Sequence, residues 1–208
     1  GQMSQVLMKL PENGIMVISA PKQQLPLTLQ RVEDGSARLA VPVEGKLVSI
    51  HALYMIAGGS GITPMIQILQ HFLPQEGLNC KMVLATANRS PNHIPCRGDL
   101  HGLLKSYPHK LSKIFHFVTS PTSTATESTK PAPTKKQEPR DVVVMNRLDA
   151  DQLRRCVPEM FPSDSTEAPD GLTVILVCGP PQFNRAILKD LAARGVTDSA
   201  THKVVDLQ

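Results

Sequence analysis

Up to about residue 50 the chain alternates short apolar stretches with turn residues. Residues 14–20 (GIMVISA), 26–32 (PLTLQRV) and 37–43 (ARLAVPV) read as strands of an antiparallel sheet, after one or two helical turns at 4–10. From about residue 51 the rhythm changes to strand, glycine-rich turn, helix, repeated. Strands are expected at 52–57, 81–87 and 114–119, and helices at 64–72 and 99–107. That alternation favours a parallel sheet with crossover helices. Residues 120–140 are dense in Pro, Thr, Ser and Lys, with almost no large apolar side chain to offset the entropy of ordering, and read as a disordered insertion. Beyond it come a short strand at 142–145, a helix at 149–157, a polar loop at 162–170 and the most apolar strand of the chain at 172–177. A helix at 183–194, stopped by Gly195, and a last strand at 203–205 complete the pattern. The expected fold class is α/β: a parallel sheet with crossover helices over 51–208, preceded by antiparallel strands over 1–50.

Composition narrows the functional classes. At 208 residues, 41% hydrophobic and 19% charged, the chain can bury one good core or two small ones. Its longest apolar runs, such as 172–178, fall well short of the roughly 20 residues that cross a bilayer, and its start does not read as a signal peptide. No membrane span is expected in this chain. Cys80, Cys96, Cys156 and Cys178 form no C-x-x-C pair, so free thiols in a reducing, cytoplasmic compartment are expected. The seven histidines show no ligand spacing, and no metal site is expected. A net charge of +4 could suit nucleic acid, but 3% aromatic content and the lack of a basic block interleaved with aromatics argue against it. A mildly basic face fits an acidic protein partner or a phosphorylated cofactor better.

Two segments carry candidate chemistry. In Tyr54-Met-Ile-Ala-Gly58-Gly59-Ser60-Gly61-Ile62-Thr63-Pro64-Met65 a hydrophobic strand runs into three glycines and then a helix with Pro64 in its first turn. Glycines let the main chain turn sharply beside a ligand, and the free N–H groups at a helix start attract phosphate. Alone, this spacing, which is not G-x-G-x-x-G, fits an ordinary strand-to-helix turn equally well. The second segment, Val174-Ile-Leu-Val-Cys178-Gly179-Pro180-Pro181-Gln182-Phe183, ends the strongest buried strand in a rigid turn beside a thiol. In isolation Cys178 reads as a buried, inert cysteine. Two such turns at the carboxyl ends of two strands can instead face one ligand.

The pair G-G-S-G-I-T-P-M at 58–65 and C-G-P-P at 178–181 resembles the ferredoxin-reductase superfamily, and within it the cytochrome b5 reductase family. The opening Gly1-Gln2-Met3-Ser4-Gln5 resembles that family's G-x-M-S segment, while residues 117–121 and Pro181-Gln182-Phe183 are closer to the reductase domain of fused cytochrome b5/b5 reductase proteins. The resemblance implies a parallel-sheet dinucleotide-binding domain over 51–208 preceded by a partial antiparallel β-barrel, the flavin-binding part, over 1–50; hydride would pass from NAD(P)H to FAD, and single electrons then to a haem protein such as cytochrome b5. It implies Gly58, Gly59, Ser60 and Gly61 at the coenzyme pyrophosphate, with Thr63 and Pro64 beside them and Thr63 at the flavin edge. Cys178, Gly179 and Pro180 would border the nicotinamide, Cys178 orienting it. Met3 and Ser4 would contact FAD, and Asn88, Arg97 and Arg147 would line the adenine side.

The chain departs from the family in places. The flavin motif Arg-x-Tyr-[Ser/Thr], expected upstream of G-x-M-S, is absent, and the chain opens on Gly1 rather than Met, which reads as an N-terminally truncated fragment. Endoplasmic reticulum or mitochondrial membrane association would then come from missing regions. Ala20-Pro21-Lys22-Gln23 replaces a Gly/Ser-Pro-x-Gly turn. Ser120 and Pro121 stand where NADH-preferring members carry an acidic residue, which leaves NADPH open as coenzyme. A non-catalytic nucleotide-binding or scaffold subunit that has lost its flavin site is the competing reading. The oligomeric state is not legible.

Overall fold

The structure, a computed structural model, describes residues 27–119, 140–161, 171–199 and 201–207. The elements expected at 4–10 and 14–20, the turn at 20–23, Met3, Ser4, Ser120, Pro121, the loop at 162–170 and all but the last residue of the 120–140 stretch lie outside the described residues.

Strands β1 (Thr28–Arg31), β2 (Ala37–Val43) and the first part of β3 (Lys46–Gly58) form an antiparallel meander. Val43 pairs with Lys46, leaving Glu44 and Gly45 as a two-residue turn with positive φ at both positions (49° and 78°). That is the backbone of a type I′ hairpin, whose twist matches the strands it joins. β3 then changes partners. Residues 46–50 pair antiparallel with β2, whereas residues 52–58 pair parallel with β4 (Lys81–Asn88). The division expected at residue 50 falls inside this one continuous strand.

From β3 the chain runs through α1 (Ile62–Phe72), β4, α2 (Arg97–Ser106), β5 (Leu111–Val118) and β6 (Asp141–Val144), laying each strand beside the last in the same direction. After α3 (Ala150–Cys156) it crosses back. β7 (Leu172–Cys178) pairs parallel with the other edge of β3, and after α4 (Pro181–Ala192) β8 (His202–Asp206) pairs with β7. The parallel part therefore reads β6-β5-β4-β3-β7-β8.

Period-two burial splits the core into two layers. On one face Leu53, Met55, Met82, Leu84 and Ile114 meet Met65, Ile68, Leu69 and Phe72 of α1 and Leu100 and Leu104 of α2. On the other, Tyr54, Ile56, Val83, Phe115, Phe117 and Ile175 meet Leu153 of α3 and Ile187 and Leu191 of α4. β7 is buried throughout except at Cys178, as a central parallel strand covered on both faces should be. Asp149 caps α3 by accepting from Gln152 N at 2.8 Å, and Gly195, at φ 78°, ends the turn after α4. Helices begin two residues earlier than expected: α1 at Ile62, α2 at Arg97 and α4 at Pro181. None of the three has a side-chain cap to announce its start.

Candidate functional site

The order of the strands creates the site. Successive connections move outward from β3 toward β6, and the chain then returns to β7 on the far side of β3. Between β3 and β7 the crossovers leave in opposite directions, which opens a crevice at the carboxyl ends of these two strands. Register puts Ala57 opposite Cys178, so both glycine-bearing turns emerge at the same rim.

The turns are packed on one another. A side chain on Gly61 would overlap the Cys178 carbonyl oxygen. A Cβ on Gly58 would stand 2.7 Å from the Phe183 ring, and one on Gly179 would stand 2.5 Å from that ring and 3.1 Å from the Gly58 carbonyl oxygen. The Phe183 ring thus sits against both turns, and Gly58, Gly61 and Gly179 are glycines because neighbours occupy the space. Gly59 differs: among the described residues nothing lies within 4 Å of its missing side chain, its φ is +56°, and it is exposed together with Ser60 and Thr63. Pro64 is half-buried on the first turn of α1, and Pro180 is exposed across the crevice.

The electrostatics of the rim favour an anion. α1 and α4, of 11 and 12 residues, both start here with neither a side-chain cap nor an acidic residue in the first turn. Neither helix offsets its own N-terminal dipole, but at α4 the Asp206 carboxylate, held by Asn184, stands beside the first turn, so the start of α1 is the better anion site. With the open face of Gly59, this arrangement suits a pyrophosphate group. Cys178 is half-buried, and burial, reinforced by the Asp206 carboxylate, raises its thiol pKa, so it is a neutral thiol at pH 7 rather than a nucleophile.

Asp206 and Asn184 were not singled out in the sequence. Asp206 pairs with Val177 at the end of β8, which brings its carboxylate to the Cys178 side of the rim. The fully buried Asn184 donates Nδ2 to Asp206 Oδ1 at 2.5 Å. Their only sequence signal is an acidic residue closing an apolar terminal strand.

The adenine-side residues spread more widely. Asn88 ends β4 one residue beyond Ala87, which pairs with Gly58, and so borders the glycine turn. Arg97 opens α2 with Nε 3.5 Å from Asp141 Oδ2. Arg147 is exposed after β6, which lies three strands from β3, about 14 Å at the usual strand spacing. Gly58, Gly59, Ser60, Gly61, Thr63, Pro64, Cys178, Gly179 and Pro180 share one rim with Asn88 at its margin, whereas Arg147 stands apart. Met3 and Ser4 lie outside the described residues. Among the described residues no group of three or more His, Cys, Asp or Glu side chains could hold a metal ion, and no helix is long and apolar enough to cross a membrane.

A doubly wound parallel sheet with two glycine turns meeting at its switch point is the architecture of a nucleotide-binding α/β domain. The chain belongs to the oxidoreductase NAD-binding domain family, which matches residues 55–189. NADH-cytochrome b5 reductase 2 of Mus musculus is 30% identical over 143 residues, 69% of this chain and 42% of that protein. Nitrate reductase [NADH] 2 of Arabidopsis thaliana is 34% identical over 120 residues, 58% of this chain and 12% of that protein. The crystal structure of the cytochrome b5 reductase domain of Ulva prolifera nitrate reductase superimposes with a TM-score of 0.60 at 21% identity, covering 99% of this chain and 66% of that one, and shows the shared fold. The chain spans about half the length of the curated cytochrome b5 reductases that it matches, and a smaller part of the nitrate reductases.

Proposed function

We propose that this chain is the nicotinamide-binding part of a reductase that takes electrons from NADH, or from NADPH, and delivers them singly to a haem protein such as cytochrome b5. When bound, the coenzyme supplies a hydride and FAD accepts it. The protein's task is to hold the two rings together and exclude water. The main chain at Gly59 and Ser60, with the start of α1, holds the pyrophosphate, while Gly58 and Gly61 keep that turn against its partner. Gly179 and Pro180 form the wall beside the nicotinamide. Cys178, kept protonated, packs against the ring and orients it without attacking it. Thr63 would contact the flavin edge, Asn88, Arg97 and Arg147 would serve the adenosine half, and Met3 and Ser4 would contact FAD. Residues 1–50 would complete the flavin side and residues 51–208 the coenzyme side.

The supporting observation is the mutual contact of the two turns at the switch point, with the uncapped start of α1 directly after the glycine turn. The test is an anaerobic absorbance spectrum of the chain supplied with FAD, before and after NADH and, separately, NADPH. Bleaching of the flavin's visible band is expected. Coenzyme binding without any flavin uptake would instead identify a nucleotide-binding subunit, and binding of neither coenzyme would end the reading.

A further inference from the structure

Beneath Asn88, on the face covered by α1 and α2, four polar side chains run in line through an apolar layer. Asn88 Nδ2 donates to Thr86 Oγ1 at 2.8 Å, and Thr86 Oγ1 lies 2.7 Å from His116 Nδ1. His116 Nε2 faces Asp141 Oδ1 at 3.3 Å, an ion-pair distance without the alignment of a full hydrogen bond. Pairing across three strands assembles the line: Thr86 is opposite His116, and Ile114, two residues before His116 on the same face of β5, is opposite Asp141. Thr86 and His116 are buried, and the Asp141 side chain is 15% exposed. From α2, Arg97 Nε at 3.5 Å and His101 Nδ1 at 3.7 Å also approach Asp141. The charged and titratable groups around His116 are therefore Asp141, Arg97 and His101.

The direction of each bond follows from the Asp141 end. A carboxylate only accepts, so the tautomer assigned to His116 is the one with its Nε2 proton toward Asp141. His116 is neutral, because burial lowers its pKa, so Nδ1 is then an acceptor. The Thr86 hydroxyl then donates to Nδ1 at 2.7 Å in preference to the Phe115 carbonyl oxygen at 3.5 Å, which leaves its oxygen to accept, and among the described residues the donor it meets is the Asn88 amide NH2. With Nδ2 committed to Thr86, Oδ1 is the amide atom left to accept from a ligand. The amide orientation, usually ambiguous, is set by the carboxylate three groups away.

We propose that Asp141, His116 and Thr86 form a directional relay that fixes Asn88 as a hydrogen-bond acceptor at the coenzyme rim, taking a hydroxyl or amino hydrogen of the adenosine half. This rests on the coenzyme reading above. His116 is then a positioning residue that never touches coenzyme. A carbonyl oxygen at this place repels phosphate, so the group it meets is a ribose hydroxyl or the adenine amine.

The test combines a double-mutant cycle with nitrogen NMR on the 208-residue chain. ADP-ribose binding is measured calorimetrically for wild type, Asn88→Ala, His116→Leu and the double variant, and nicotinamide mononucleotide binding is followed by NMR titration. Asn88→Ala is expected to weaken ADP-ribose binding about tenfold, as for loss of one well-placed hydrogen bond. His116→Leu should cost several-fold, the double variant should be no weaker than Asn88→Ala, and nicotinamide mononucleotide binding should not change. Losses that multiply in the double variant, or an equal loss of mononucleotide binding in His116→Leu, would overturn the relay. Should His116→Leu not fold, the wild-type imidazole shifts decide: a proton on Nε2 supports the relay, and a proton on Nδ1 refutes it. Wild type binding ADP-ribose with multiplicative losses refutes the relay alone, whereas wild type binding neither ADP-ribose nor NADH refutes the coenzyme reading as well.

Discussion

Gly59 and Gly61 stand two residues apart in one turn, yet alanine should affect them differently. At Gly61 the added methyl meets the main chain of Cys178, which is anchored by the β3–β7 ladder and cannot move aside cheaply. Gly61→Ala should cost about 1–3 kcal/mol or more and separate the two turns. At Gly59 the methyl enters open space and only the left-handed backbone is strained, for about 1 kcal/mol. Urea midpoints measure both, and equal tolerance would mean that the turns are not packed. The cysteines also differ by site. Burial pushes the Cys80 thiol up to about 12, partial burial and Asp206 raise that of the half-buried Cys178, and Cys96 is exposed. Timed iodoacetamide labelling read by mass spectrometry should modify Cys96 first and Cys80 last. Early modification of Cys178 would count against its role as a neutral wall of the site.

Among the helices, α2 is the least well made. Its sequence RGDLHGLLKS buries only Leu100 and Leu104, and Cys96 before it adopts φ 55° without capping by its side chain. Among the described residues nothing lies within 4 Å of a would-be Cβ on Gly98 or Gly102. Gly102→Ala should therefore stabilise the protein by about 0.5–1 kcal/mol, seen as a rise in Tm, since alanine restricts the unfolded chain and fits the helix. A fall in Tm would show that α2 is not a simple exposed helix there. α1 was legible because Met65, Ile68, Leu69 and Phe72 recur at helical spacing, and β7 because it is apolar without interruption. The first half of β3 was missed because Lys46 and Leu47 are exposed there, on a two-stranded hairpin with little of the alternation that marks a strand. Its Glu-Gly turn relies on Glu44 at positive φ, which composition does not announce.

For the molecule as a whole, stability should fall on acidification before the carboxylates titrate. His116 and His202 are both buried, and in both burial lowers the pKa from 6.5. The folded state then binds fewer protons than the unfolded chain below about pH 6.5, so stability is complete above that pH and is lost as pH falls toward the folded pKa values. Urea denaturation from neutral pH down to about 5 should show this slope, and His116→Gln should flatten it. A stability that rises over the same range would contradict the burial of both histidines as neutral rings.

By itself the sequence determined the succession of strands, turns and helices and the two glycine-bearing turns, because these depend on side chains within a few positions of one another. It also determined that the turns end apolar strands, which places them at a sheet rim. Tertiary structure decided that β7 returns beside β3, so that Cys178 lies opposite Ala57 and Phe183 packs under both turns. It likewise decided that Asp206 stands by Cys178 and that Thr86, His116 and Asp141 meet across three strands. Those meetings depend on which strand edges pair once both faces of the sheet are covered, a choice among distant segments that local periodicity does not encode.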